Sequence, residues 1–257
     1  MGAQLAVGQP LCNTAVQHRR VAALRTLQIG LGLAALLAIG SARIWRLGHP
    51  LTLTLLASSC FVAIALLAGP GRDGYGRWML AGIVGCWLGD LLGPIDFLWG
   101  LYAFLAAHVL FSLAGLRRGV SRGGLLVGAA MASCATLAFC VSTWGMMAPE
   151  QRPALIAYAV VISVMLTVAV GSWHHARHAG GWCLLVGAVL FYASDVVLGL
   201  WHFLGDRFPL GRWCYLIYYP AVCTLGASIG PRADRCGSAQ QSGFRDGGFR
   251  DGGYEAD

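Results

Sequence analysis

Apolar residues run along this chain in eight long blocks, separated by short polar breaks. The blocks cover roughly residues 21–40, 51–69, 78–94, 97–116, 123–144, 153–172, 181–201 and 212–230. A helix rises 1.5 Å per residue, so a block of about 20 residues crosses a hydrocarbon core of about 30 Å. The pattern predicts an all-α, polytopic membrane protein with eight transmembrane helices. The breaks carry the punctuation expected between helices. Pro94 has no amide donor and ends the third block within Gly93-Pro94-Ile95-Asp96. Trp45, Trp78, Trp99, Trp144, Trp173, Trp182, Trp201 and Trp213 stand near block ends, as in the aromatic belts of membrane interfaces.

Three segments follow: a polar N-terminal stretch at 1–20, the helical domain at 21–231, and a polar tail at 232–257. The tail repeats Gly-Phe-Arg-Asp-Gly at 243–247 and 248–252 and lacks the apolar content to fold, so it reads as a disordered cytoplasmic tail. The first block lacks a small-residue cleavage site and reads as a retained span.

Composition sharpens this picture. Hydrophobic residues make up 57% of the chain and charged residues 11%, against about 25% charged in a soluble domain. All 18 basic residues are Arg. Without Lys there is no Schiff base for retinal or pyridoxal phosphate, and no P-loop. The net charge of +7 is scattered over short loops, which points to membrane topology rather than nucleic acid. In an eight-span topology, 13 Arg fall on the side of the N-terminus and 5 on the other. That bias predicts an integral, multi-pass membrane protein with both termini cytoplasmic. The 9 cysteines form no CxxC or zinc spacing. His174, His175 and His178 read as a polar loop, with no acid near in sequence. No metal site and no cofactor are expected. Oligomeric state is not legible.

Two residues break the apolar pattern where it should be strictest. Asp90 lies in the third block and Asp195 in the seventh. A carboxylate at membrane depth is costly and marks a functional site by default. By the predicted boundaries the two stand roughly 6 and 9 Å below the non-cytoplasmic face. Gly85, Gly89 and Gly93 form a ridge of small residues beside Asp90, suited to close helix packing. Two carboxyls in one apolar pocket hold a single proton between them, so one donates while the other stays anionic. That division of labour suits hydrolysis through an oxocarbenium ion. The alternative is a proton- or ion-coupled transporter using the same aspartates. A third reading makes them structural, hydrogen-bonded acids. His108 inside the fourth block needs a partner, and a carboxylate is the obvious one. Tyr218 and Tyr219 in the eighth block lie at a depth close to that of the acids. Asp96 reads as a loop acid. Gly82 and Val84 precede Asp90 by the same intervals as Gly187 and Val189 precede Asp195. This echo, offset by 105 residues, suggests two four-helix halves in parallel orientation.

The residues around the acids carry a resemblance. Gly89-Asp90-Leu91-Leu92 followed by Phe97-Leu98-Trp99-Gly100-Leu101-Tyr102-Ala103-Phe104-Leu105-Ala106-Ala107-His108 resembles the first signature of the YhhN-like lysoplasmalogenase family. Leu190-Phe191-Tyr192-Ala193-Ser194-Asp195-Val196-Val197-Leu198 resembles the second, and Tyr218-Tyr219 a third. Where the family's second helix usually opens on Lys-Pro, His49-Pro50 stands here; where its last signature continues to Gln, Pro220-Ala221 follows the tyrosines. The resemblance implies an eight-span membrane hydrolase that cleaves the vinyl ether bond of lysoplasmalogens, releasing a fatty aldehyde and a glycerophospho-base. It implies Asp90 and Asp195 as catalytic acids and favours His108 as a site residue, with Tyr218 and Tyr219 expected to bind substrate. The expected partners are a lysophospholipid substrate and the lipid bilayer. Arg43, Arg46, Arg207 and Arg212, on the face nearer the acids, are candidates to meet the substrate phosphate.

Overall fold

Each apolar block becomes one helix. The computed structural model describes residues 14–45, 48–71, 74–149, 152–204 and 210–230. In chain order the α-helices are α1 (Thr14–Arg43), α2 (Pro50–Leu67), α3 (Gly74–Leu92), α4 (Phe97–Arg118), α5 (Arg122–Thr143), α6 (Arg152–His175), α7 (Ala179–Leu204) and α8 (Leu210–Ala227). Among the described residues there is no strand. The tail at 232–257, Arg46 and Arg207 lie outside the described residues, as does the Arg212 side chain.

Helix starts follow local chemistry. Pro50 opens α2, where its missing N–H costs nothing. Asp96 caps α4, its carboxylate accepting from the amides of Leu98 and Trp99 at 2.8 and 3.1 Å. The expected loop acid is therefore a helix cap. Ser121 caps α5 by accepting from the Gly124 amide. α1 begins at Thr14, seven residues before the predicted block, but its apolar part begins at Val21.

Six of these helices are long and apolar enough to cross a membrane: α1, α2, α4, α5, α6 and α7. Large apolar side chains on their outer faces stay uncovered, Leu126 at 73% and Val141 at 72% exposure among them. Such surfaces suit lipid, so the chain is a multi-pass membrane protein. α3 and α8 are less apolar. Both contribute polar residues to the interior, and α8 packs against α1, α2, α3 and α7.

The expected glycine ridge operates on α3. A Cβ added at Gly89 would lie 2.7 Å from the Phe104 ring, and one at Gly100 would lie 2.6 Å from the Gly93 Cα. Only glycine lets α3 and α4 approach this closely, and the approach presses the backbone next to Asp90 against α4. At the other end of the bundle, Arg118 donates to the Tyr75 hydroxyl (2.8 Å) and the Gly180 carbonyl (3.0 Å), and Tyr75 shares a hydrogen bond with Ser228 (2.6 Å). This network ties α3, α4, α7 and the C-terminal end of α8.

Candidate active site

The fold gives each buried acid its own surroundings. Asp90 is 6% exposed on α3. Its Oδ2 accepts from Ser58 Oγ on α2, in a short hydrogen bond, and from the hydroxyls of Tyr218 (3.2 Å) and Tyr219 (3.3 Å) on α8. Ser58 and Tyr219 also lie within 3.2 Å of each other, and the Thr54 carbonyl accepts from either. Three hydroxyls thus converge on a single oxygen, which is the arrangement an anionic acceptor takes. Above this cage, Arg43 stacks on the Tyr215 ring at 4.0 Å and reaches the Thr54 hydroxyl at 3.5 Å.

Asp195 faces a base. Its Oδ2 lies 3.1 Å from His108 Nε2 on α4. The Nδ1 of the same ring lies 2.6 Å from the Phe104 carbonyl. A carbonyl only accepts, so Nδ1 carries a proton, a tautomer assigned from this hydrogen bond. Nε2 is then the ring's remaining acceptor, and it faces the Asp195 carboxyl. The alignment between the two atoms falls short of a hydrogen bond, and neither has another partner. The Tyr158 ring of α6 meets the His108 ring edge-on at 5.6 Å, and Tyr158 lies close enough to Asp195 to feel its charge.

Asp90 draws its partners from α2 and α8, Asp195 from α4 and α6, and no hydrogen bond joins the two acids. They nonetheless belong to one interior. Cys86 and Cys214 each lie close enough to both carboxyls to feel their charge. The ring of Phe191 stands between the two sets, 5.3 Å from Tyr218 and 4.6 Å from His108.

A cavity of about 280 Å³ distinguishes the two acids. It is walled by α4, α5, α6 and α7, and Asp195 lies on its wall, whereas Asp90 does not. Its lining is mostly apolar. It runs from Phe97, Ala154 and Phe203 at the helix ends to Thr136, Ile162 and Tyr192 further in. Helix length explains the asymmetry. α7 continues nine residues past Asp195, about 13 Å, while α3 stops two residues past Asp90, about 3 Å. The depths of roughly 6 and 9 Å expected from the predicted boundaries become more unequal distances from the helix ends.

The structure therefore brings Tyr218 and Tyr219 to Asp90, and His108 to Asp195. Ser58 and Tyr158 were not singled out in the sequence. A Ser in an apolar helix ordinarily bonds its own preceding turn, and a Tyr near a helix end ordinarily belongs to the interface belt. Arg43 sits over the Asp90 cage and does not line the cavity. Of the histidine cluster, His174 hydrogen-bonds Ser121 and His178 receives the Gly181 amide. Among the described residues no group of three or more His, Cys, Asp or Glu could hold a metal ion.

The sequence profile of the YhhN family matches residues 45–229, a stretch that includes all of these side chains except Arg43. No curated protein matches this chain. No solved structure matches it either.

Proposed function

This chain belongs to the YhhN family, and on that premise we propose that it hydrolyses the vinyl ether bond of lysoplasmalogens. One observation carries the reading: the Asp195 carboxyl lies on the wall of an apolar cavity, 3.1 Å from the buried His108 imidazole, and we take the two to hold one proton between them. Asp195 in its acid form donates that proton to the β-carbon of the enol ether. The double-bond electrons form the new C–H bond, and the positive charge is left on the α-carbon and its oxygen. The Asp195 carboxylate lies against this oxocarbenium ion. The fixed anion of Asp90, behind the aromatic wall, stabilises it further, because charge is poorly screened in an apolar interior. His108 Nε2 then takes a proton from the attacking water, and the α-carbon becomes a hemiacetal. As the hemiacetal collapses, the imidazolium protonates the departing glycerol oxygen and Asp195 takes the hydroxyl proton. The products are a fatty aldehyde and a glycerophospho-base, and the pair holds one proton again. Tyr158 steadies the Asp195 carboxyl, and Tyr218 and Tyr219 hold Asp90 in place. These acid–base steps require no cofactor.

Topology follows the same proposal. All eight helices cross the bilayer, both termini face the cytoplasm, and the cavity opens towards the opposite face. The architecture is two parallel four-helix halves. In support, each acid sits on the third helix of its half, with partners from the second helix of that half and the fourth of the other. The echoed glycines agree: Gly82 packs against Phe111 of α4, and Gly187 against Leu225 of α8.

A transporter using the same acids needs a polar route to both faces. Towards the cytoplasmic half, Met79, Ile83, Phe111 and Leu184 are each at most 2% exposed and packed together. That favours an enzyme with one entrance. The test is aldehyde release by the purified protein from a defined lysoplasmalogen. Release that disappears in Asp195→Asn, with folding retained, supports the hydrolase; a well-folded wild type that yields no aldehyde refutes it.

A further inference from the structure

Apart from its tyrosines, the described lining of the cavity carries two ionisable side chains, Asp195 and His202. Both belong to α7, seven residues apart, which is nearly two full turns. They therefore share a face of the helix, separated by about 10 Å along its axis. His202 stands near the end of α7, among the mouth residues, and is exposed. Its ring stacks on Phe97, with centroids 5.2 Å apart and planes 7° from parallel, and the edge of Phe203 meets it at 5.1 Å. Stacking fixes the plane of the imidazole while leaving its nitrogens at the ring edge. Neither nitrogen bonds another described residue. An oriented and unspent donor at the mouth of an apolar cavity calls for a polar ligand group.

The chemistry of the proposed substrate supplies one at the right distance. In a lysoplasmalogen, seven bonds separate the β-carbon of the vinyl ether from phosphorus. An extended chain advances about 1.2 Å per bond, so these span about 8 Å. Hydrogen-bond reach at each end covers the remainder. With the β-carbon at Asp195, the phosphate comes to the level of His202. The first turn of α6 borders the same mouth through Ala154 and Leu155, and a helix N-terminus favours an anion there.

We propose that His202 binds the substrate phosphate and, with Asp195, forms a ruler that sets which bond meets the acid. The protein is then selective for phospholipid ethers over neutral 1-alkenylglycerols. This inference rests on the lysoplasmalogenase reading, but it can be tested without turnover. The experiment measures equilibrium binding of two saturated ether analogues to the full-length protein in detergent: a 1-alkyl-glycerophosphoethanolamine and the matching neutral 1-alkylglycerol. His202→Ala is expected to weaken the phospholipid by roughly ten- to a hundredfold, the range of a hydrogen bond to a charged group, and to leave the neutral lipid within about twofold. His202→Asp, which sets like charges together, weakens the phospholipid further. Equal loss for both lipids, or no loss for either, overturns the proposal. A parallel aldehyde assay with the vinyl ether forms keeps the two readings apart. Selective binding without aldehyde retains the phosphate site and removes the hydrolase. Aldehyde release with KM for the phospholipid unchanged in His202→Ala retains the hydrolase and removes the phosphate site.

Discussion

Asp90 and Asp195 are the same residue type in similar stretches of apolar helix, yet their surroundings differ. Asp90 sits in a closed cage of hydroxyls, three of which aim at one of its oxygens. Asp195 faces a single histidine and opens onto a cavity. The first arrangement surrounds one carboxylate oxygen with hydroxyls that hold it still. The second sets a carboxyl 3.1 Å from an imidazole, with room for a substrate beside the carboxyl. A carboxyl that reacts needs access and an exchangeable proton; one that acts only through its field needs neither. Under the proposed function, the contrast casts Asp195 as the proton donor and Asp90 as the electrostatic stabiliser.

The largest expected effect tests that assignment directly. Asp195→Asn preserves shape but cannot donate a proton to carbon, so aldehyde release should fall by about a thousandfold. Circular dichroism and elution volume should be unchanged. Asp90→Asn should cost less, about a hundredfold, because it removes a charge from the field around the oxocarbenium and not the donor itself. If the two variants lose equal activity with equal stability, the contrast collapses and both acids react. His108→Gln leaves a side chain of similar reach but a poor base, and kcat should drop about a hundredfold. An unaltered kcat would mean that Asp195 needs no partner. The smallest effect belongs to the cage. Tyr219→Phe removes one of three donors and should lower stability by about 1 kcal/mol, read as a shift in the thermal midpoint, with kcat changed by less than the Asp90 variant. A larger loss of activity than of stability would give Tyr219 a direct role at the substrate.

Much of this was legible in the linear chain, because membranes make sequence unusually explicit. A block of twenty apolar residues has few alternatives to a helix, and all eight blocks became helices. Trp45, Trp99, Trp144, Trp182 and Trp213 all remain well exposed near helix ends, as an interfacial belt requires. The glycine ridge did what its spacing foretold. Asp90, Asp195 and His108 announced themselves because a polar group in hydrocarbon needs a reason. Ser58 and Tyr158 did not, since a hydroxyl can be satisfied by its own helix or by the interface. Only a carboxyl brought within reach from another helix gives them a task.

What the amino-acid order determined by itself is which segments are helical, where they stop, and which few side chains cannot be left facing lipid. Those are local consequences of hydropathy, missing amides and the cost of buried charge. What the tertiary structure decided is the pairing: Asp90 with hydroxyls from α2 and α8, Asp195 with His108 of α4 and Tyr158 of α6. It also decided that the cavity reaches only one of the acids. Partnerships between helices depend on crossing geometry and relative lengths. Those are set by how the helices pack together, and no stretch of the chain read alone contains them.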